Sequence, residues 1–233
     1  MTAVMVAILL ALGIWQVHRL AWKERLLAEI AAAERAPAIP LPPHPGPFVK
    51  VSVSGRFRPD LAVHFGDIVR DTMRGPAMGA DLVVPLERAD GPPVLVDRGW
   101  VPLSFQAPIA WPGPGPHGTV TVDGYVAAAQ HPGLFTPRPE PRGRQVYALD
   151  PAMIGRMVGL REVAPFTLIA LGTQRLSHYP VPADRLPRPP NHHLVYLTIW
   201  FTLAGALVVI FTVWARDLLR GEAPAPRRSG GGR

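Results

Sequence analysis

Cysteine is absent from the 233 residues of the chain. This absence excludes disulfides, thiolate metal sites and thiol-based copper transfer by the chain itself. Charged side chains are missing from two long stretches, residues 2–17 and 194–215. Because about 20 apolar residues span the hydrocarbon core of a bilayer, both stretches predict transmembrane helices.

The first stretch also raises the alternative of a cleaved signal peptide. No basic residue precedes its apolar run, and the sequence WQVHRLAWKERL that follows is a poor cleavage region. We therefore expect a retained first helix, with both termini of the chain on one side of the membrane.

The charges beside the two stretches disagree about which side that is. The residues that favour a cytoplasmic tail are Arg216, Arg220, Arg227 and Arg228. Those that favour the opposite orientation are Arg19, Lys23 and Arg25. Long loops translocate largely regardless of charge, so the short tail carries more weight and predicts cytoplasmic termini.

The net charge of +7 comes from scattered arginines rather than from a dense basic run. This pattern argues against nucleic acid and favours anionic lipid headgroups or an acidic partner surface. A stronger explanation is coding bias, which by itself accounts for the abundance of Ala, Pro, Arg and Gly.

Between the two predicted spans, apolar alternation bounded by Gly and Pro predicts strands. The segments are FVKVSVSGRF, ADLVVPLER, PPVLVDRGWVPL, GTVTVDGYVA and REVAPFTLIAL. A short helix is predicted where Asp150 can cap and Pro151 suits the first helical position. The expected fold is a membrane protein with two transmembrane α-helices flanking a mainly antiparallel β (α+β) domain outside the membrane.

The domain boundaries follow from the apolar stretches and from clusters of proline. We expect a first transmembrane helix at 1–20, a polar helix extension and Pro-rich linker at 21–47, a β-rich outer domain at 48–180, a Pro-rich junction at 181–193, a second transmembrane helix at 194–215 and a basic cytoplasmic tail at 216–233.

Sequence patterns typical of enzymes are missing. The segment GPGPHG lacks the Lys and Ser/Thr of a phosphate loop, and the chain has neither a zinc-hydrolase helix nor a nucleophile elbow. We therefore predict a protein that is not an enzyme and has no catalytic residues.

The segment VLVDRGWVP places Asp97, Arg98 and Trp100 near a strand end. On a continuing strand the side chains of Asp97 and Arg98 point to opposite faces, and Gly99 indicates a bend or bulge. The simpler interpretation is a turn with a packed Trp100, and the alternative is contact with a ligand or partner.

Two helix faces carry aromatic residues beside ionisable ones. Trp15, Arg19 and Trp22 share a face of the first helix, where membrane-interface anchoring is a sufficient explanation. In the second helix the corresponding face carries His193, Tyr196, Trp200, Ala204 and Phe211.

Anchoring explains histidine less well than it explains tyrosine and tryptophan, because ionisable groups at membrane depth are functional candidates. His192 is turned about 100° from the face of His193. A neutral imidazole at the edge of an apolar helix has the chemistry to ligate haem iron.

Several segments together resemble one family, the Surfeit locus protein one family of membrane-anchored assembly factors for cytochrome c oxidase. The matching segments are LGIWQVHRLAWKERL, VSVSGRF, VVPLERADGPPVLVDRGWVP, HPGLFTPRPEPRGRQVYALD and PPNHHLVYLTIWFTLAG. They occur in the family's order over nearly the whole chain. The resemblance implies two membrane helices around a domain on the periplasmic or intermembrane-space side.

The resemblance also implies a role in delivering haem a to, or inserting it into, oxidase subunit I. By motif position it makes His193 the metal ligand. The sequence departs from the family where His192 replaces a common Asn, Leu197 a common Ala and Asp97 a common Asn. Whether His192 shares the iron or only supports His193 is left open.

The expected haem a site therefore comprises one ligand and its neighbours in the two helices. Its candidate residues are His193, His192, Tyr196, Trp200, Arg19 and Trp15. The expected partners are oxidase subunit I, haem a synthase and the lipid bilayer, without nucleic acid. A bacterial inner membrane is expected, because no transit segment is evident. The alternative is a haem-free scaffold that stabilises nascent subunit I.

Overall fold

The computed structural model describes residues 1–72, 75–103, 118–140, 143–173 and 179–221. The helices in these ranges are α1 (Thr2–Arg35), α2 (Pro151–Val158) and α3 (His193–Gly221). The strands are β1 (Ile39–Pro40), β2 (Lys50–Phe57), β3 (Val63–Thr72), β4 (Gly75–Arg88), β5 (Gly91–Pro102), β6 (Val120–Ala128), β7 (Gln145–Val146) and β8 (Phe166–Ala170). The chain divides into two compact units, Met1–Glu29 with Arg188–Arg233, and Ile30–Pro187.

The two uncharged stretches form the long helices α1 and α3, each long and apolar enough to cross a membrane. Both predicted spans are therefore confirmed as helices. Helix α1 continues to Arg35 because good helix formers such as Ala, Leu and Glu extend as far as Arg35, shortly before Pro37. At the start of α3, Asn191 Oδ1 accepts a hydrogen bond of 3.4 Å from His193 N.

Within the helical unit, α1 and α3 run antiparallel. Gln16 bonds to His193, and a Cβ added at Gly13 would lie 2.8 Å from Cζ of Phe201, deeper in α3. Such close contact at a small residue is typical of helix pairs in membranes. The beginning of α1 and the end of α3 therefore lie at the same end of the pair.

The sheet of the other unit closes into a ring. Its strand order is β1-β2-β6-β8-β5-β4-β3-β7, and β2 pairs a second time with β4 through Arg56 to Glu87 and Phe57 to Leu86. Strands β2, β6, β8, β5 and β4 thus form a five-stranded barrel. The pairings β1–β2, β3–β7 and β5–β8 are parallel and the others are antiparallel. The predicted class of two helices with a mainly antiparallel β domain is confirmed.

Strands β4 and β5 are buried on both faces, which explains their nearly continuous apolar sequences. Alternate residues of the two strands, such as Val84 and Val96, belong to a core shared with β2, β6 and β8. Their neighbours Val83 and Leu95 belong to a second core that includes Ile154 of α2. The alternation follows from the two-residue period of a strand.

Helix α2 has a side-chain cap at its start and a glycine at its end. Asp150 Oδ1 accepts a hydrogen bond of 3.1 Å from Met153 N, and Pro151 occupies the first turn. Gly159 ends the helix in the left-handed conformation. The predicted cap at Asp150 is confirmed.

Strand β5 carries a bulge where the sequence suggested a bend. Asp81 pairs with Trp100 and Val83 pairs with Asp97, so β5 has one extra residue opposite β4. Gly99 adopts a φ of 107° at this point. The strand continues to Pro102, so the segment is a bulge rather than a turn.

The Pro-rich segment 180–190 begins in contact with the sheet. Val181 exchanges backbone hydrogen bonds with Trp100, and Ala183 bonds to Ala170 and Gly172. Leu186 is also buried. The proline-rich loop 107–118 lies, apart from its last residue, outside the described residues.

Candidate functional site

The imidazole of His193 forms a hydrogen bond across the helix pair. Its Nδ1 lies 2.8 Å from Oε1 of Gln16 in α1. Gln16 is only 7% exposed, and His193 is half-buried. An N–H at Nδ1 donates to the amide oxygen, so the second ring nitrogen, Nε2, carries the lone pair that a metal requires.

Sequence reasoning did not single out Gln16. The available signal was an amide at the end of an apolar run, since polar groups at membrane depth are conspicuous and find partners on neighbouring helices. Spacing within one helix could not show that Gln16 and His193, separated by 177 positions, meet.

The predicted aromatic face of α3 differs in burial along its length. Trp200 is half-buried and Ala204 is buried, whereas Tyr196 is 51% exposed and Phe211 is also exposed. Nε1 of Trp200 is buried and has no hydrogen-bond partner among the described residues. Since Trp200 is seven positions after His193, the two residues lie on one side of α3, about two turns apart.

His192 precedes α3 and its side chain is exposed. Its carbonyl accepts bonds from the backbone of Val195 and Tyr196, so the residue takes part in the first helical turn. The structure therefore brings Gln16, rather than His192, to the ring of His193.

Arg19 lies between two indoles of α1. Its guanidinium carbon is 5.8 Å from the ring centre of Trp15 and 5.1 Å from that of Trp22. Both tryptophans are half exposed. The cluster stabilises the side chain of Arg19 by cation–π attraction.

The β unit holds a separate group of buried ionisable residues. Burial raises the pKa of Asp97 to about 8, and the charge of Asp81 adds to this effect. Burial also raises the pKa of Asp81, against the influence of Arg70, whose Nη2 lies 3.7 Å from Oδ1 of Asp81. Gly99 N donates a hydrogen bond to Asp97. The hydrogen bond from Gly99 N to Asp97 lies within the bulge of β5 and stabilises it.

Trp100 and Arg98 are structural residues of the same bulge. Trp100 is fully buried, and its Nε1 donates a bond of 2.9 Å to the carbonyl of Ile68. Its ring packs edge-on against Tyr179 at 5.8 Å. The guanidinium of Arg98 lies 4.8 Å from the ring centre of Phe57. The interpretation of Trp100 as a packed residue is therefore confirmed.

An ordered turn of the β unit presents two apolar side chains to solvent. Leu134 and Phe135 are 93% and 94% exposed. Reciprocal hydrogen bonds between Gly133 and Thr136 close the turn, at 2.8 Å from Gly133 N to Oγ1 and 3.1 Å from Thr136 N to the carbonyl. Exposed apolar pairs of this kind are candidates for contact with another surface.

Within the described ranges, no three His, Asp or Glu side chains come together as a metal site. A single imidazole can nonetheless hold the iron of a haem. Of the two adjacent histidines at the start of α3, His193 is the one whose ring is bonded to a buried partner, Gln16.

Fold and site together define a membrane protein with two spanning helices, a β domain between them in sequence, and a positioned imidazole at a helix start. A family model described as the SURF1 family matches residues 3–205. The chain belongs to the SURF1 family.

The relatives extend over most of the chain. A SURF1-like protein of Monosiga brevicollis is 26% identical over 94% of this chain and 88% of its own length. A SURF1-like protein of Rickettsia bellii is 28% identical over 91% of this chain and 88% of its own. Surfeit locus protein 1 of Homo sapiens is 27% identical over 90% of this chain and 74% of its own.

Proposed function

We propose that this chain is an assembly factor for haem-copper cytochrome c oxidase that binds haem a through His193 and assists its insertion into subunit I. Membership in the SURF1 family supports the proposal, since the motifs that resemble the family imply this role. The protein acts as a carrier or chaperone and not as an enzyme.

The observation that carries the proposal is the placement of the two adjacent histidines. His193 is half-buried, with Nδ1 bonded to Gln16, whereas His192 is exposed. A ring held by one nitrogen presents the other in a fixed direction, which suits a metal ligand. His193 is the principal ligand, and His192 has an auxiliary role.

The neighbouring residues fit an aromatic macrocycle. Trp200 lies on the same side of α3 and is half-buried, so part of its indole is available to pack against a macrocycle. Tyr196 offers an exposed ring for packing. Arg19, which packs against Trp15, supplies a cation that can pair with a propionate. Alternatively, the two side chains form a surface for docking to subunit I.

If haem a is bound, His193 would hold its iron through a ring nitrogen, and the iron would supply the metal–imidazole bond that retains the cofactor. The chain holds this group at the edge of the bilayer and excludes water from its apolar face. Handover to subunit I would require the bond between His193 and the iron to be weak enough to exchange. Haem a synthase is the expected donor of the group, and the lipid bilayer surrounds the helices.

The proposed location is a bacterial inner membrane, with the β domain in the periplasm and both termini in the cytoplasm. The antiparallel helix pair supports the placement of both termini on one side. The basic residues Arg216 and Arg220 near the end of α3 favour the cytoplasmic side.

The absorption spectrum of the purified full-length protein, co-expressed with haem a synthesis, tests the proposal. His193→Ala should abolish or strongly shift the haem spectrum at normal membrane levels of the protein. His192→Ala is the matched control and should weaken binding less. Full haem in His193→Ala with loss in His192→Ala would refute the assignment.

A haem-free scaffold for subunit I is the second candidate function, and the exposed pair Leu134 and Phe135 favours it. In that case the protein should lack haem even with saturating haem a. The double variant Leu134→Ser, Phe135→Ser should then lower co-purification of subunit I. If the variant loses neither subunit I nor oxidase, this turn has no scaffolding role.

A further inference from the structure

The hydrogen bond between Gln16 and His193 determines more than the position of a side chain. A neutral imidazole carries one N–H and one lone pair, and the partner of one nitrogen decides which nitrogen has which. Oε1 of Gln16 is a carbonyl oxygen and only accepts. At 2.8 Å it therefore requires the proton on Nδ1 of His193 and leaves the lone pair on Nε2.

The opposite orientation of the amide would have the opposite chemical result. If the NH₂ group of Gln16 donated to Nδ1, the proton of the ring would lie on Nε2, which could not then ligate a metal. The orientation with Oε1 toward the ring is the one compatible with a metal on Nε2. The amide thus selects one of two tautomers.

The burial of Gln16 makes this selection effective. With 7% of its surface exposed, the amide has little water to replace the imidazole as a partner. A buried amide without a partner costs free energy, so the bond to His193 is favoured over alternatives. Rotation of α1 relative to this contact is restricted for the same reason.

We propose that Gln16 is a positioning residue that fixes His193 as the Nδ1–H tautomer and thereby makes Nε2 the iron-binding atom. This inference rests on the proposed function, because it assigns a role to Gln16 at the same haem site. Gln16 acts through His193 and does not touch the iron. The amide oxygen also makes the imidazole a better electron donor, as outer partners of metal-bound histidines do.

The first test uses the protein without haem. Nitrogen-15 NMR of the full-length protein in detergent, labelled at histidine, reports which ring nitrogen carries the proton, and the variant His193→Gln identifies the signal. We expect the Nδ1–H form in the native protein. In Gln16→Met, which keeps the length of the side chain and removes the carbonyl, we expect a mixture of tautomers.

The second test loads the same variants with haem a. Gln16→Met should bind about 10- to 100-fold more weakly. Gln16→Glu keeps an acceptor oxygen, so it should restore the tautomer and binding, and its negative charge should lower the midpoint potential. Thr198→Val removes a hydroxyl from the exposed side of α3 and should change none of these quantities.

The outcomes separate this inference from the proposed function. If His193→Ala retains the full haem spectrum, the proposed function fails. If haem binding requires His193 but Gln16→Met leaves the tautomer, affinity and potential unchanged, the role of Gln16 is refuted while the function stands. A native Nε2–H tautomer in the haem-free protein would also overturn the inference.

Discussion

The backbone N–H of Gly99 donates a hydrogen bond of 2.8 Å to Oδ1 of Asp97 across the bulge of β5. Asp97 is only 4% exposed. Burial, and after it the charge of Asp81, raises the pKa of Asp97 to about 8. The carboxyl is therefore largely protonated at neutral pH and resembles the amide of an asparagine at this position.

The substitution Asp97→Asn should flatten the dependence of stability on pH. Between about pH 4 and pH 8 the folded protein keeps a proton on Asp97 that the unfolded chain loses. Because the folded state binds more protons, the free energy of unfolding falls as pH rises, by about 1.4 kcal/mol per pH unit. Asparagine has no carboxyl to titrate, so the variant does not undergo this fall in the free energy of unfolding and should be more stable than the native protein at pH 8.

Urea unfolding of the detergent-solubilised protein at several pH values, followed by circular dichroism, measures this slope. Asp90→Asn is the matched control, since Asp90 is an exposed carboxylate at the β4–β5 hairpin. Equal slopes for the native protein and Asp97→Asn would mean that Asp97 is ionised in the fold throughout this range.

The substitution Gly99→Ala should destabilise the β domain by about 3 kcal/mol or more. Gly99 has a φ of 107°, and a Cβ there would lie 2.0 Å from the carbonyl oxygen of Val181. The three nearest atoms to that Cβ all belong to the backbone of Val181 and Pro182, which cannot turn aside as a flexible side chain can. The midpoint of urea unfolding measures the loss. Gly118→Ala is the control, because a Cβ there meets nothing within 4 Å, and a similar shift in both variants would exclude this explanation.

The elements predicted from sequence are those with local causes. Valine alternation predicted β2 and β6, and the residues Asp150 and Pro151 predicted the start of α2. Strand β3 was not predicted, because Gly66 with a φ of 71° and a bulge between Phe65 and Ile68 interrupt its alternation. Closure of the sheet into a ring could not be predicted from local patterns either, because it depends on pairs between β2 and β4 that are 29 or more positions apart.

The candidate site was predictable in part for the same reason. Spacing on one helix placed His193 and Trp200 on a common side and His192 elsewhere. The contact of His193 with Gln16 depends on the register of α1 against α3, which no pattern within one helix contains. The pair of exposed residues Leu134 and Phe135 gave no signal either, because apolar loop residues are ordinary in sequence.

Reporter fusions should place both termini in the cytoplasm. The antiparallel arrangement of α1 and α3 requires the termini to share a side, and Arg216 and Arg220 favour the inner one. Alkaline phosphatase should thus be inactive when fused after Gly221 and active when fused after Gly118. The reverse pattern would overturn the proposed orientation.

The substitution Arg19→Ala should lower oxidase content at normal membrane levels of the protein. The guanidinium of Arg19 lies within 6 Å of the ring centres of Trp15 and Trp22, so three side chains form one cluster. A cation in this position contributes about 0.5–1 kcal/mol through each ring and more when it also pairs with an anion such as a propionate. Because the cation–π contacts are present with or without haem a, only the pairing with a propionate contributes to binding; at about 0.2–1 kcal/mol for an exposed pair, we expect haem a to bind up to about 5-fold more weakly in Arg19→Ala. Arg19→Lys, which keeps the charge, should lose less of the affinity for haem a.

Difference spectra of membranes measure oxidase content, and immunoblotting measures the amount of the variant protein. A native oxidase content in Arg19→Ala would mean that Arg19 only helps to anchor α1 at the membrane interface. Trp15 and Trp22 can provide that anchoring without the guanidinium, whereas pairing with a propionate or a partner requires it.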